Sequence, residues 1–272
     1  MVGNRIRIFS ELVSIDAWYP QFTSSRSRVS LHADVTFHTA RLGGEPGSPV
    51  TFTLDLKRAE LRVIIPETEH IAIDRSSVAR FDDGATAIRK TRSKSRTSGG
   101  IGSVFGLGAT SKGASAALKL QARASKDYNR TEEVVTTEKL KKIIVSHSVD
   151  AERNNRWHFS PALTSTLNGK PWASRDQKLM KLVDKRQTID PRFEPVVRLE
   201  LSCLREDLDV DAIELVDGAT FAAAMAKLGG DRRLRAAEAF IRNRIQEEGL
   251  PTPRMENDHA QIILADLMAV QD

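Results

Sequence analysis

Apolar side chains recur at every second position in several stretches of this chain, and that period is the signature of half-buried β-strands. Between residues 28 and 39 (RVSLHADVTFHT), Val29, Leu31, Ala33, Val35 and Phe37 face one way, while Arg28, Ser30, His32, Asp34, Thr36 and His38 face the other. Val50, Phe52, Leu54 and Leu56 repeat the pattern against Thr51, Thr53, Asp55 and Lys57, and residues 61–65 and 71–73 continue it. Further on, Val197, Leu199, Leu201 and Cys203 alternate with Arg198, Glu200 and Ser202. The β-branched stretch 134–149 is also expected to be extended. Between the first two strands, ARLGGEPGSP is expected to be a loop, because clustered Gly and Pro cannot continue a ladder. One wet face per strand argues for antiparallel pairing. The expected body, residues 1–87 and 127–215, is an antiparallel β-sandwich-like or curled sheet.

Residues 216–272 change character and are expected to be helical. Alanine-rich 220–228 meets the breaker Gly229-Gly230. Asp231 is an N-cap candidate for a helix through Glu248, with Leu234, Ala237, Ile241 and Ile245 as its apolar stripe, stopped by Gly249 and Pro251. A last helix is expected from Asp258, with Ile262, Ile263, Leu267 and Val270 seeking a partner surface. The class is therefore α+β, with helices collected at one end.

Charge is unevenly placed. The chain of 272 residues carries a formal +5, yet residues 88–130 hold ten Lys/Arg against one acid, Asp127, which leaves −4 for everything else. The insertion 88–126 is rich in Gly, Ala, Ser and Thr. Its first part, 89–100, has no apolar residue and reads as a solvated loop. Farther along, Ala114, Ala116, Leu118, Leu120, Ala122 and Ala124 alternate with Ser115, Lys119, Gln121, Arg123 and Ser125, a period of two. Ile101, Phe105, Leu107 and Ala109 share one parity upstream, although Ser103 falls among them, and residues 110–113 suit a turn. Alanine content and the spacing of Lys112, Lys119, Arg123 and Lys126 fit a basic helix as well. The insertion is thus a loop plus a hairpin or a helix.

Several classes are excluded. No stretch approaches the ~18 consecutive apolar residues of a membrane-spanning helix, and the N-terminus lacks a signal-peptide apolar core. One cysteine, Cys203, excludes an internal disulfide and a thiolate-rich zinc site, so a reducing, cytoplasmic location is expected. Phosphate-loop, dinucleotide and nucleophile-elbow signatures are missing. His32, Asp34 and His38 share a strand face but are too far apart along it for one metal, because alternate residues are about 7 Å apart. Asp55-Leu56-Lys57 after Asp34 loosely fits a Mg²⁺ nuclease. Helix-GlyGlyAsp-helix at 219–248, with Arg232, Arg233, Arg235, Arg242 and Arg244, has features of a helix-turn-helix, but a packed helical hairpin accounts for it better. No catalytic, metal or cofactor residues are assigned.

The basic insertion is the feature that asks for a partner. Arg89, Lys90, Arg92, Lys94, Arg96, Lys112, Lys119, Arg123 and Lys126 would meet an anionic polymer or surface. The first reading is a non-catalytic protein gripping a nucleic-acid backbone through counterion release, without sequence readout. The second is membrane permeabilisation by a homo-oligomer, in which 101–126 inserts as a β-hairpin and 89–96 meets acidic lipid. A β-rich body bearing such a hairpin resembles the general plan of pore-forming proteins. A metal-dependent nuclease is the third.

Overall fold

The alternating segments fold as their period dictates. The computed structural model describes residues 5–45, 48, 50–81, 86–94, 133–186, 194–215 and 230–272. The chain divides into two units, Met1–Thr86 with Lys141–Asp272, and Ala87–Leu140.

Three sheets build the first unit. A six-stranded sheet has the order β1-β15-β13-β6-β11-β10, from Arg5–Arg7, Gln261–Met268, Arg198–Leu204, Ala59–Ile64, Asn155–Pro161 and Ile143–Val149. A five-stranded sheet has the order β16-β2-β3-β12-β7, from Val270–Gln271, Val13–Tyr19, Arg28–Phe37, Met180–Asp184 and Ile71–Asp74. A three-stranded sheet pairs β14 (Leu208–Leu215), β5 (Val50–Leu56) and β4 (Ala40–Gly43). Its pairings are antiparallel, as are those of the six-stranded sheet, and the five-stranded sheet departs only where β16 runs parallel to β2. The expected α+β sandwich-like body is present.

Burial follows parity. Val29, Leu31, Ala33, Val35 and Phe37 are all buried on β3, and Val50, Phe52, Leu54 and Leu56 on β5. In the six-stranded sheet the inward positions align across strands as a row, Ala265–Leu201–Leu61–Trp157. Phe159 on β11 meets Phe37 on β3 edge to face at 5.3 Å, which joins the two larger sheets through one aromatic core. Trp172 extends that core, stacked on Phe81 at 4.4 Å and donating its indole N–H to the Ala33 carbonyl.

One helix lies among the described residues, α1 (Gly230–Glu247). It starts one residue before the expected cap Asp231. Ala237, Ile241 and Ile245 bury the expected stripe, and Phe240 stands edge-on against Phe52 of β5 at 5.6 Å. Gly249, at φ +73°, ends it: its N–H reaches the Gln246 carbonyl at 3.0 Å and the Leu250 N–H reaches Ile245 at 3.3 Å. A left-handed residue there is the usual way to satisfy a helix's last carbonyls. The alanine-rich segment 220–228, and with it the helical-hairpin expectation, lies outside the described residues.

Three expectations are corrected. The last helix from Asp258 is strand β15, inserted between β1 and β13. Its burial changes parity at Leu264, where a bulge faces the Leu201/Ser202 step of β13, so the period of two is broken and the apolar run mimics a helix. Residues 40–43 are not loop but strand β4. Gly43 and Gly44, both near φ +80°, end the strand, and a Cβ on Gly43 would fall 1.9 Å from the Val50 carbonyl oxygen. Finally, β13 has no wet face, since Glu200 and Ser202 are buried together with Leu199, Leu201 and Cys203.

Leu267, fully buried on β15 between Leu199 and the β1 backbone, distinguishes strand from surface helix energetically. Leu267→Ala is expected to cost about 2–5 kcal/mol, the range for a core truncation, measured by urea denaturation.

Candidate functional site

Of the basic insertion 88–126, residues 88–94 are described, and so is the strand that follows it at 133–141. Strands β8 (Thr86–Lys94) and β9 (Glu133–Lys141), nine residues each, pair with each other as a two-stranded sheet. Residues 89, 90, 92 and 94 therefore stand on β8. Arg96, Lys112, Lys119, Arg123 and Lys126 lie outside the described residues, as does the hairpin-or-helix question for 101–126.

On the first unit, two surfaces concentrate polar chemistry. The outer face of the six-stranded sheet carries cross-strand rows set by its register. Ser148, Arg156, Arg62, Glu200 and Asp266 form one row, and Ser146, His158, Glu60 and Ser202 the next. Two guanidinium groups side by side repel, and like charges directly opposite destabilise a sheet. Glu60 answers both: it accepts from Arg156 at 3.5 Å and lies 4.0 Å from Arg62. Asp150 approaches Arg62 at 3.6 Å. Burial works against the Asp150 carboxylate, but hydrogen bonds from the Asn154 backbone and amide, with Arg62 and Arg156 nearby, hold its pKa below the ordinary value.

The same face contains a serine, an imidazole and a carboxylate in sequence. Ser148 Oγ and His158 Nε2 are 2.7 Å apart, and His158 Nδ1 is 3.2 Å from Glu60. Hydrolases use that order, but they also need a substrate cavity at the serine and paired N–H donors for an oxyanion. The adjoining cavity of about 620 Å³ is lined by His158 and Glu60 but not by Ser148. The chain of three is read here as a brace for the charged face.

A larger cleft, about 940 Å³, opens at the other end of the sheet, bounded by the β6–β7 loop, β7 and the β10–β11 turn. At its inner wall, the His147 imidazole pairs with the side-chain carbonyl of buried Asn155 at 2.9 Å and packs against Trp157.

The chain matches no family's sequence model and no curated protein. Among solved structures it is similar to the NetB toxin of Clostridium perfringens in its membrane-inserted form. The two share 9% identity and a TM-score of 0.27, over 70% of this chain and 84% of that one.

Several of the remaining residues singled out in the sequence have local partners. His32 stacks on Trp18 at 5.6 Å, with Nδ1 3.1 Å from the Ser174 carbonyl, and Asp34 is salt-bridged to Lys170 at 2.7 Å. Asp55 accepts from Thr39, and Lys57 pairs with Asp209. Asp34 and Asp55 belong to different sheets. Arg242 pairs with Glu256, and Arg244 with Glu45. Cys203 is buried, and burial pushes its thiol pKa upward, which suits a core residue.

Two outcomes follow for the charged face. Glu60→Ala, which removes the Arg156 partner and leaves Arg62 with Asp150 alone, is expected to lower stability by ~1–2 kcal/mol, less than the 3–5 of a fully buried pair; urea unfolding at neutral pH measures it. Asp150 contributes stability that is complete above its unfolded pKa of 3.8 and is lost as pH falls through the lower folded value. Asp150→Asn should therefore flatten the acid limb of the pH–stability curve.

Proposed function

We propose that the protein acts on anionic membranes, with the insertion as the element that meets and enters the bilayer. One observation carries the reading: β8, which opens the insertion, pairs with β9, which follows it, and the two belong to a second unit. The 38 residues between them, 95–132, are thereby the connection of a paired stem.

A membrane strand needs about 9–11 residues with alternate positions apolar. The stretches 101–109 and 114–124 have that length; the second alternates, with Ala117 neutral, and the first does so apart from Ser103 and Val104. In lipid, backbone groups must be satisfied within a closed barrel, so several copies would each contribute a hairpin. Arg89, Lys90, Arg92, Lys94 and Arg96 flank the apolar stretch, where each cation near an acidic leaflet contributes about 1 kcal/mol of attraction. Lys112 would fall in the turn, Lys119 and Arg123 would face the lumen, and Lys126, beyond the alternating stretch, would join the basic flank. Nucleic-acid binding draws on charge alone, which both readings share; the paired stem favours the membrane.

The test is dye release from vesicles containing phosphatidylglycerol. Wild-type protein is expected to release the dye, Leu118→Asp with Leu120→Asp to abolish release without weakening vesicle binding, and serine at 89, 90, 92, 94 and 96 to reduce binding. No release at any acidic-lipid fraction, with a salt-sensitive shift of duplex DNA, would replace this reading with the nucleic-acid one.

A further inference from the structure

The large cleft on the body contains a group of charges that the fold itself leaves unused. Arg75, Arg80, Arg153 and Lys185 line it, and among the described residues none of the four is in an ion pair. Two carboxylates, Glu67 and Glu69, share the lining, so its formal charge is +2 with His147 neutral. The four cations come from separate places: a short 3-10 turn after β7, the segment beyond Val78, the β10–β11 turn and the residue following β12. Convergence from four places is a tertiary arrangement, not a basic run in the sequence.

Arg153 adds an independent observation. It closes the β10–β11 turn at φ +67°, a left-handed conformation that glycine or asparagine adopts with less strain. The turn is already secured by Asp150: its N–H donates to the Asn154 carbonyl at 3.0 Å, and its carboxylate accepts from the Asn154 N–H at 2.7 Å. Nothing in the turn requires an arginine. A strained residue kept where a cheaper one fits points to a role outside the fold.

Apolar side chains complete the cleft. Ile65, Ile73 and Val78 lie in its walls, and Val149, 52% exposed, stands at the β10 end. A volume of about 940 Å³ lies within the ~300–1,000 Å³ range of small-molecule sites. Cations beside apolar walls fit a ligand with an anionic head and an apolar body.

We infer that this cleft binds the phosphate head of an anionic amphiphile, with Arg75, Arg80, Arg153 and Lys185 receiving the phosphate and the apolar walls receiving the first part of its chain. Arginine is suited to the role because its planar fork donates two hydrogen bonds to phosphate oxygens. The inference deepens the membrane reading by supplying lipid selectivity on the body, and rests on that reading only for where the ligand is met.

Calorimetry on the full chain tests it without a bilayer, using dihexanoyl phosphatidylglycerol below its micelle concentration. Saturable binding is expected, about tenfold weaker in Arg153→Gly, equivalent to ~1.4 kcal/mol, through loss of a charge-assisted hydrogen bond. The same variant should match or exceed wild type in thermal midpoint, because glycine relieves the turn. Arg75→Ser with Arg80→Ser should weaken binding comparably. Glycerol phosphate, inorganic phosphate and dihexanoyl phosphatidylcholine should each bind more weakly. Equal affinity for glycerol phosphate would assign the site to soluble phosphates and overturn the lipid source, as equal affinity for the phosphatidylcholine would overturn charge selectivity. No saturable binding, or unchanged binding in Arg153→Gly, overturns the site altogether. Binding without vesicle leakage would leave the cleft standing and remove the membrane-inserting arm.

Discussion

The closing of the six-stranded sheet by its last strand is the constraint on which the rest depends. β15 lies between β1 and β13, so the first strand of the chain has no partner until nearly the last has arrived. The row Ala265–Leu201–Leu61–Trp157 then draws four distant segments into one apolar line. Pairing of that kind costs loop-closure entropy before contacts return it. The aromatic contact between Phe159 and Phe37 couples this sheet to the five-stranded one, so the core forms as a single cluster.

Polar residues occupy what that core leaves over. On the outer sheet face, arginines in register would repel, and Glu60, Asp150 and Glu200 are placed among them. Arg198, for example, bridges Asp266 and Glu200 across β13 and β15. Around the large cleft the balance is different, with four cations outside any described ion pair and two carboxylates. The contrast between a neutralised face and an unneutralised cleft is the main electrostatic feature of the body. β8 and β9 pair with each other in the second unit, and residues 89, 90, 92 and 94 lie on β8.

Half-buried strands were legible because a strand with one wet face writes its period directly, as in β3 and β5. Fully buried ones were not. In β15, Ile262 and Leu264 share one parity while Ala265 and Leu267 take the other, because the bulge inserts a residue between them. A continuous apolar run then fits helix and strand equally. In β4, the glycines that read as loop mark only its end. The stripe on α1 was readable, since Ala237, Ile241 and Ile245 are spaced by one helical turn and Gly249 terminates it.

Of the candidate sites, the basic insertion was visible as composition, because ten cations in 43 residues need no fold to be noticed. The cleft was not. Arg75, Arg80, Arg153 and Lys185 are ordinary surface residues in a charge-rich chain until strands bring them to one mouth. Sequence by itself determined which residues turn inward and where charge accumulates, since side-chain alternation and composition are local properties of the chain. Only the tertiary structure decided which strands are neighbours, which charges are neutralised and where four of them converge, because those depend on register between segments far apart in sequence.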